Sequence, residues 1–184
     1  MAVVLVPLAT GFEEIEAISI IDVIRRAGVE VIIGSVDEQS EVRGAHGVTI
    51  KTDKSIKNIS ADSLDMIVLP GGWGGTKILA EDAKVQTLLK EMDAKGKHIG
   101  AICAAPFALD RAGVLKEHFT CFPSVEEEIE NSGYDATKAV INDKNILTSR
   151  GPATALCFAL EIVKILVGEK AKKSVQEGLL ADFC

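Results

Sequence analysis

Four short runs in this chain are apolar at nearly every position: "AVVLVPLA" (2–9), "VEVIIGSV" (29–36), "LDMIVLPGG" (64–72) and "KHIGAIC" (97–103). A strand with no polar alternation has no face to give to water, so it must be covered on both sides. The intervening segments supply that cover. Residues 13–28 carry a helical apolar stripe closed by Gly28, residues 76–95 hold one or two helices, and 104–112 hold another. Strands alternating with helices imply a doubly wound α/β sandwich, with a mostly parallel sheet and helices on both faces.

The remaining segments read less uniformly. "GVTIKTD" (47–53) is a short strand on an edge or outside the main sheet. "HFTCF" (118–122) alternates as a strand, and "SVEEEIENSG" (124–133) reads as a helix. "KAVINDKNILTSR" (138–150) reads as a hairpin turning at Asn142–Asn145. Pro152 opens the last long helix and Gly168 ends it. With 184 residues and 47% hydrophobic content, one domain over 1–184 is expected.

A net charge of −7 argues against a nucleic-acid partner or an anionic membrane surface. "EKAKK" near the C-terminus is read as a solvated helix face. The longest apolar segment, "ATALCFALEIVKILVG", is broken by Glu161 and Lys164 and is too short to span a bilayer. The N-terminus lacks the basic lead of a signal peptide. Cys103, Cys121, Cys157 and Cys184 form no CxxC pair and no metal-like spacing with histidine. Free thiols in a reducing, cytoplasmic setting are therefore expected, with no metal.

Ligands of doubly wound sheets bind beyond the carboxyl ends of the strands. After the first strand, Thr10 and Glu13 have capping-box spacing, and Glu14 is expected to face water. Glu16 shares a stripe with Ile20, Val23, Ile24 and Ala27, which points it at the sheet. There it has a raised pKa and keeps its proton; the alternative is a surface glutamate on a wet helix face. After the third of these strands, "PGGWGG" matches neither a Walker loop nor a dinucleotide fingerprint, so no cofactor is expected. Its glycines either let the backbone approach a ligand or simply make a tight turn. Trp73 packs at an interface or covers a site.

"AICAA" places Cys103 where a strand gives way to a helix, with Ala101 and Ala105 as small neighbours. Such a nucleophile elbow exposes its thiol to the helix N-terminus, which lowers the pKa and favours thiolate. The Ala104 N–H is placed to stabilise an anion. A buried structural cysteine is the competing reading, and it suits Cys157 in its apolar helix. No histidine completes a dyad. His98 begins the strand that Cys103 ends, about 16 Å away at ~3.3 Å per residue. His118 falls at the wrong sheet edge, and His46 has no fixed place. Glu16 is the one acid/base candidate near Cys103.

"EEIE", "LPGG", "AICAAP" and "TSRGP" occur in this order, within a match running from "AVVLVPLATGFEEIEA" to the C-terminal helix. In these motifs the chain resembles the ThiJ/PfpI superfamily, in the branch of the parkinsonism-associated protein deglycase and bacterial YajL. The resemblance implies a flavodoxin-like sandwich and a homodimer, with Arg26, Arg150 and Pro152 near the dimer contact. It implies Cys103 as an oxidisable nucleophile, Glu16 bonded to its sulfur, and Gly72 and Ala104 as backbone donors. It also implies glyoxalase or deglycase action on methylglyoxal or its early protein adducts, with lactate or glycolate from free dicarbonyls. The alternative is a redox-sensing stress protein or chaperone whose signal is Cys103 sulfinic acid. Phe122 stands where some relatives carry histidine, which bears on a glyoxalase rate. Ala104 replaces the histidine that follows the cysteine in the protease-like branch, which excludes a protease.

Overall fold

Alternate residues of the first strand enter different cores. In the computed structural model, which describes residues 1–184, β1 (Val3–Leu8) sends Val4, Val6 and Leu8 into one apolar cluster and Leu5 into another. The two clusters lie on opposite faces of a seven-stranded sheet. Its strands are β1, β2 (Glu30–Ser35), β5 (Lys54–Ser55), β6 (Met66–Leu69), β7 (His98–Ile102), β8 (Val140–Asp143) and β9 (Ile146–Ser149). Their order is β5-β2-β1-β6-β7-β9-β8, parallel except for β8, which pairs antiparallel with β9. This is the flavodoxin-like order, in which the chain runs from β1 outward to β2 and then crosses back to β6. The reversal opens a crevice at the carboxyl ends of β1 and β6.

Helices α1 (Glu14–Arg26) and α5 (Ala155–Val167) cover one face. Helices α3 (Ala83–Ala94) and α4 (Pro106–Arg111) cover the other, and α2 (Trp73–Glu81) packs beside α4. The segment at 47–53 lies outside the main sheet, as one of the two expected placements: β4 (Thr49–Lys51) pairs antiparallel with β3 (Glu41–Arg43).

Several expectations need correction. Thr10 does not cap α1. Glu13 does, accepting from Glu16 N at 2.8 Å, because residues 10–12 turn away to tie Gly11 N to Arg43 O. Glu14 does not face water; it is buried and accepts from the backbone N–H groups of His46 (2.7 Å) and Val48 (3.3 Å). This also gives His46 a place, with Nδ1 3.0 Å from Glu14 Oε2. Residues 118–122 form no strand, only an isolated bridge from Phe119 to Tyr134, and 124–133 contain a single 3-10 turn, Val125–Glu128. Thr120 N is taken by the Thr148 side chain at 3.0 Å, so the pairing does not extend past the bridge. Trp73 begins α2 rather than lying in a loop, since Gly72 at φ 84° already turns the chain into the helix.

The expectation of four free thiols also fails. Cys157 and Cys184 form a disulfide, Cα atoms 5.1 Å apart. Gly168 ends α5 with φ 104°, and α6 (Glu169–Leu179) folds back along α5, returning the chain end to the second residue past its start. Closing a loop with a sequence separation of 27 contributes about 3.5 kcal/mol in the chain-entropy model. Cys184→Ser should therefore lower the unfolding free energy by about 2–4 kcal/mol, read by urea titration of non-reduced protein. Equal stability of variant and parent would show that the bond adds nothing. No helix is long and apolar enough to cross a membrane.

Candidate active site

Three loops at the carboxyl edge converge on one sulfur atom. Cys103 follows β7 with φ 63°, a left-handed conformation that a non-glycine residue adopts at a cost of about 1–2 kcal/mol. The elbow is pinned from outside: Cys103 N donates to Ser149 O at 2.9 Å, and Cys103 O accepts from Phe122 N at 2.8 Å. Ala101 and Ala105 on either side are fully buried, leaving no room for larger side chains. Strain held this firmly marks a place where side-chain direction matters.

Glu16 reaches the same point from the first turn of α1. It is fully buried, and its Oε2 accepts from Gly71 N at 2.7 Å. The carboxyl lies beside the Cys103 thiol, each shifting the other's proton affinity, while Oε1 is buried with no hydrogen-bond partner. The sheet-facing alternative for Glu16 is therefore the observed one. Burial pushes its pKa up to about 7, against the Gly71 amide and Cys103 bonds that pull it down; the Glu13 charge adds a smaller upward push.

The thiol behaves differently from expectation. Burial, then the charge and hydrogen bond of Glu16, push Cys103 upward, and the Gly72 and Ala104 amides only partly offset them. A standing thiolate from the helix N-terminus is thus corrected. Helix α4 starts only at Pro106, three residues on, and the field of its amides is outweighed by desolvation. Ionisation of this sulfur depends on Glu16 taking the proton.

Gly71 was not singled out from the sequence, yet the pair depends on it. A Cβ there would lie 2.6 Å from Cys103 Cβ and 2.7 Å from Glu16 Oε2. It is the bare backbone between thiol and carboxyl, and the doubled glycine of "LPGG" was its only signal: Gly71 for close approach, Gly72 for the positive φ. The backbone amides of Gly72 and Ala104 act on the sulfur and pull its pKa down.

Above Cys103 lies a cleft of about 420 Å³ lined by Trp73, Cys103, Ala104, Phe122, Ser124, Val125 and Glu128. Trp73 covers the site, tilted against Phe107 at 57° with ring centroids 5.3 Å apart. Arg150 and Pro152 line a neighbouring cleft of about 250 Å³ that shares Phe122, whereas Arg26 lies at the far end of α1, paired with Asp22 at 2.7 Å. His98 and His118 lie away from the sulfur, as expected: His98 opens β7, and His118 N donates to Asp143 at the end of β8. Cys121 is fully buried, its Sγ 4.0 Å from Glu126 Oε2; burial first and then that carboxylate push it up to about 12.

Comparison with known proteins gives the same outline. The model of the DJ-1/PfpI family matches residues 2–165. Protein dj-1beta of Drosophila melanogaster is 39% identical over 181 residues, covering 97% of each chain, and its crystal structure superposes with a TM-score of 0.94. A Caenorhabditis elegans relative named glutathione-independent glyoxalase DJR-1.2 is 37% identical over 169 residues, 91% of this chain and 89% of its own. The structure of oxidized Toxoplasma gondii DJ-1 is 37% identical with a TM-score of 0.93, covering 98% of each chain.

Proposed function

The chain belongs to the DJ-1/PfpI family, and from that premise we propose that it is a carbonyl-stress enzyme acting through Cys103 on methylglyoxal or its early protein adducts. The observation that carries this is the pair at the elbow: a thiol in a strained backbone under an open cleft, beside a buried carboxyl with a pKa near 7. A group titrating there serves as base and acid in turn.

Glu16 carboxylate takes the thiol proton as sulfur adds to the aldehyde carbon, and its acid form returns that proton to the carbonyl oxygen. The Gly72 and Ala104 amides stabilise the oxyanion and then the sulfur. Glu16 next moves the C1 proton of the hemithioacetal to C2 through an enediol, which leaves a lactoyl thioester. Water cleaves the thioester, releasing lactate and the thiol, so that methylglyoxal plus water gives lactate with no external oxidant. Phe122 offers no proton, so all these transfers fall to Glu16. A glyoxalase-named relative supports the chemistry. By the same family premise the working unit is a homodimer, and the exposed Ile15, Ile18 and Val48 supply an apolar surface for it.

The test is methylglyoxal without added thiol, followed by borohydride trapping and peptide mapping. Lactate in molar excess over protein, with the trapped adduct on Cys103, is expected. Stoichiometric lactate, or an adduct on Cys121, would remove the proposal. A second reading has its own support: two amides and a protonated carboxyl around one sulfur also suit a sulfinate. Two equivalents of peroxide would convert thiolate to sulfinate and two waters. A redox-sensing or chaperone role would then show selective gain of two oxygens at Cys103 with no lactate.

A further inference from the structure

Glu128 is the one charged side chain lining the cleft over Cys103; its companions are Trp73, Ala104, Phe122, Ser124 and Val125. It ends the 3-10 turn Val125–Glu128, which also carries Glu126 and Glu127. The turn is fixed at the rim. Ser124 is left-handed with φ 78°, Val125 is buried beneath, and Val125 N donates to Phe122 O at 3.0 Å. Glu127 and Glu128 stay exposed.

None of the three glutamates is ion-paired with a cation of this region. Lys77 lies with Nζ 5.2 Å from the centroid of Trp73, Arg111 covers Phe107 at 4.7 Å, and Arg150 lines the adjacent cleft. A molecule approaching the sulfur therefore passes between aromatic walls and an acidic lip. Apolar walls lower the local dielectric, which lengthens the reach of the lip's charge.

We propose that Glu128, backed by Glu126 and Glu127, makes this cleft select its substrates by charge: neutral and cationic carbonyl compounds with an apolar group reach Cys103, and anionic ones are held off. This deepens the proposed function, on which its substrate meaning rests. Uncharged 2-oxoaldehydes are favoured, aryl-substituted above methyl, because Trp73 and Phe122 offer flat apolar contact. Adducts on lysine or arginine side chains, with cations nearby, are favoured too. Rejected are 2-oxo acids and the hemithioacetal that free glutathione forms with methylglyoxal, which carries a net negative charge.

Discrimination can be read without turnover, by the rate at which Cys103 is modified by methanethiosulfonates carrying ethylammonium, methyl or ethylsulfonate groups. In each case sulfur forms a disulfide with the thioalkyl group and methanesulfinate leaves. Modification is followed on the Cys103 peptide, and each rate is normalised to the neutral reagent for that variant. One charge about 8 Å away at an effective dielectric of about 40 changes a rate roughly fivefold, so the cation-to-anion ratio should be roughly 25. Glu128→Gln should lower the ratio by about 25-fold, and Glu127→Gln by less. The ratio should also shrink in high salt. A wild-type ratio near one, an unchanged ratio in Glu128→Gln, or no reaction with any reagent would each overturn charge selection. Absence of lactate from every dicarbonyl, with the ratio intact, would remove the enzyme reading alone.

Discussion

Cys103→Ala should abolish dicarbonyl turnover, by at least about 10³-fold, while leaving stability within about 1 kcal/mol of the parent. The two halves have separate causes. Addition of sulfur to the aldehyde is the covalent step, and no other group at the site can replace it: Cys121 is fully buried, Phe122 has no nucleophilic atom, and the Ser124 hydroxyl lining the cleft is a weak nucleophile unless a base activates it. Residual rate would come only from Glu16 and the amides acting on bound substrate. Stability changes little because the thiol lies at the floor of an open cleft, so its removal leaves no sealed cavity. The backbone bonds that hold the elbow, to Ser149 O and from Phe122 N, are untouched. Alanine keeps the positive-φ strain; Cys103→Gly would release it and stabilise by about 1 kcal/mol. Lactate assays and urea titrations of the same samples check both halves. Turnover within tenfold of the parent would show that the sulfur is not the nucleophile. A loss of several kcal/mol would show that Cys103 is a packing residue.

The parts legible in the sequence were those fixed by short-range patterns. Apolar runs with no polar alternation placed β1, β2, β6 and β7, and the small residues around Cys103 placed the elbow where it is found. The stripe from Glu16 to Ala27 correctly turned one carboxylate toward the sheet. What escaped depends on contacts between distant segments. Glu14 is buried because residues 46–48 come back over α1, which no local spacing records. Cys157 meets Cys184 only because α6 reverses along α5. Residues 118–129 alternate like a strand and then repeat like a helix, yet they serve as a rim held by Cys103 O and Tyr134. The sign of the thiol's shift escaped for a related reason. The helix N-terminus is visible in sequence, whereas the degree of desolvation is a property of the packed site.

Glu16→Gln should cut turnover by about 10²–10³-fold and, at the same time, remove a pH dependence of stability. In the folded protein Glu16 titrates near 7 rather than at its ordinary value of 4.5, chiefly through burial. A raised carboxyl binds its proton more tightly in the native state than in the unfolded one. Its contribution is therefore fully present below pH 4.5 and is lost as pH rises through 7, with a total on the order of 3 kcal/mol. Glutamine keeps the acceptor for Gly71 N but has no proton to lose, so that decline should vanish. Urea titrations at pH 4.5, 6 and 8 would show the variant losing less stability than the parent over this interval. The rate follows the opposite form of the same group. The carboxylate removes the thiol proton, so parental kcat/KM should rise with pH through about 7, and the remnant rate of Glu16→Gln should not. A parent-like stability decline in the variant would mean that Glu16 is not the group with the raised pKa. A parent-like rate profile would mean that some other group moves the proton, and the thiol–carboxyl pair would no longer account for the chemistry.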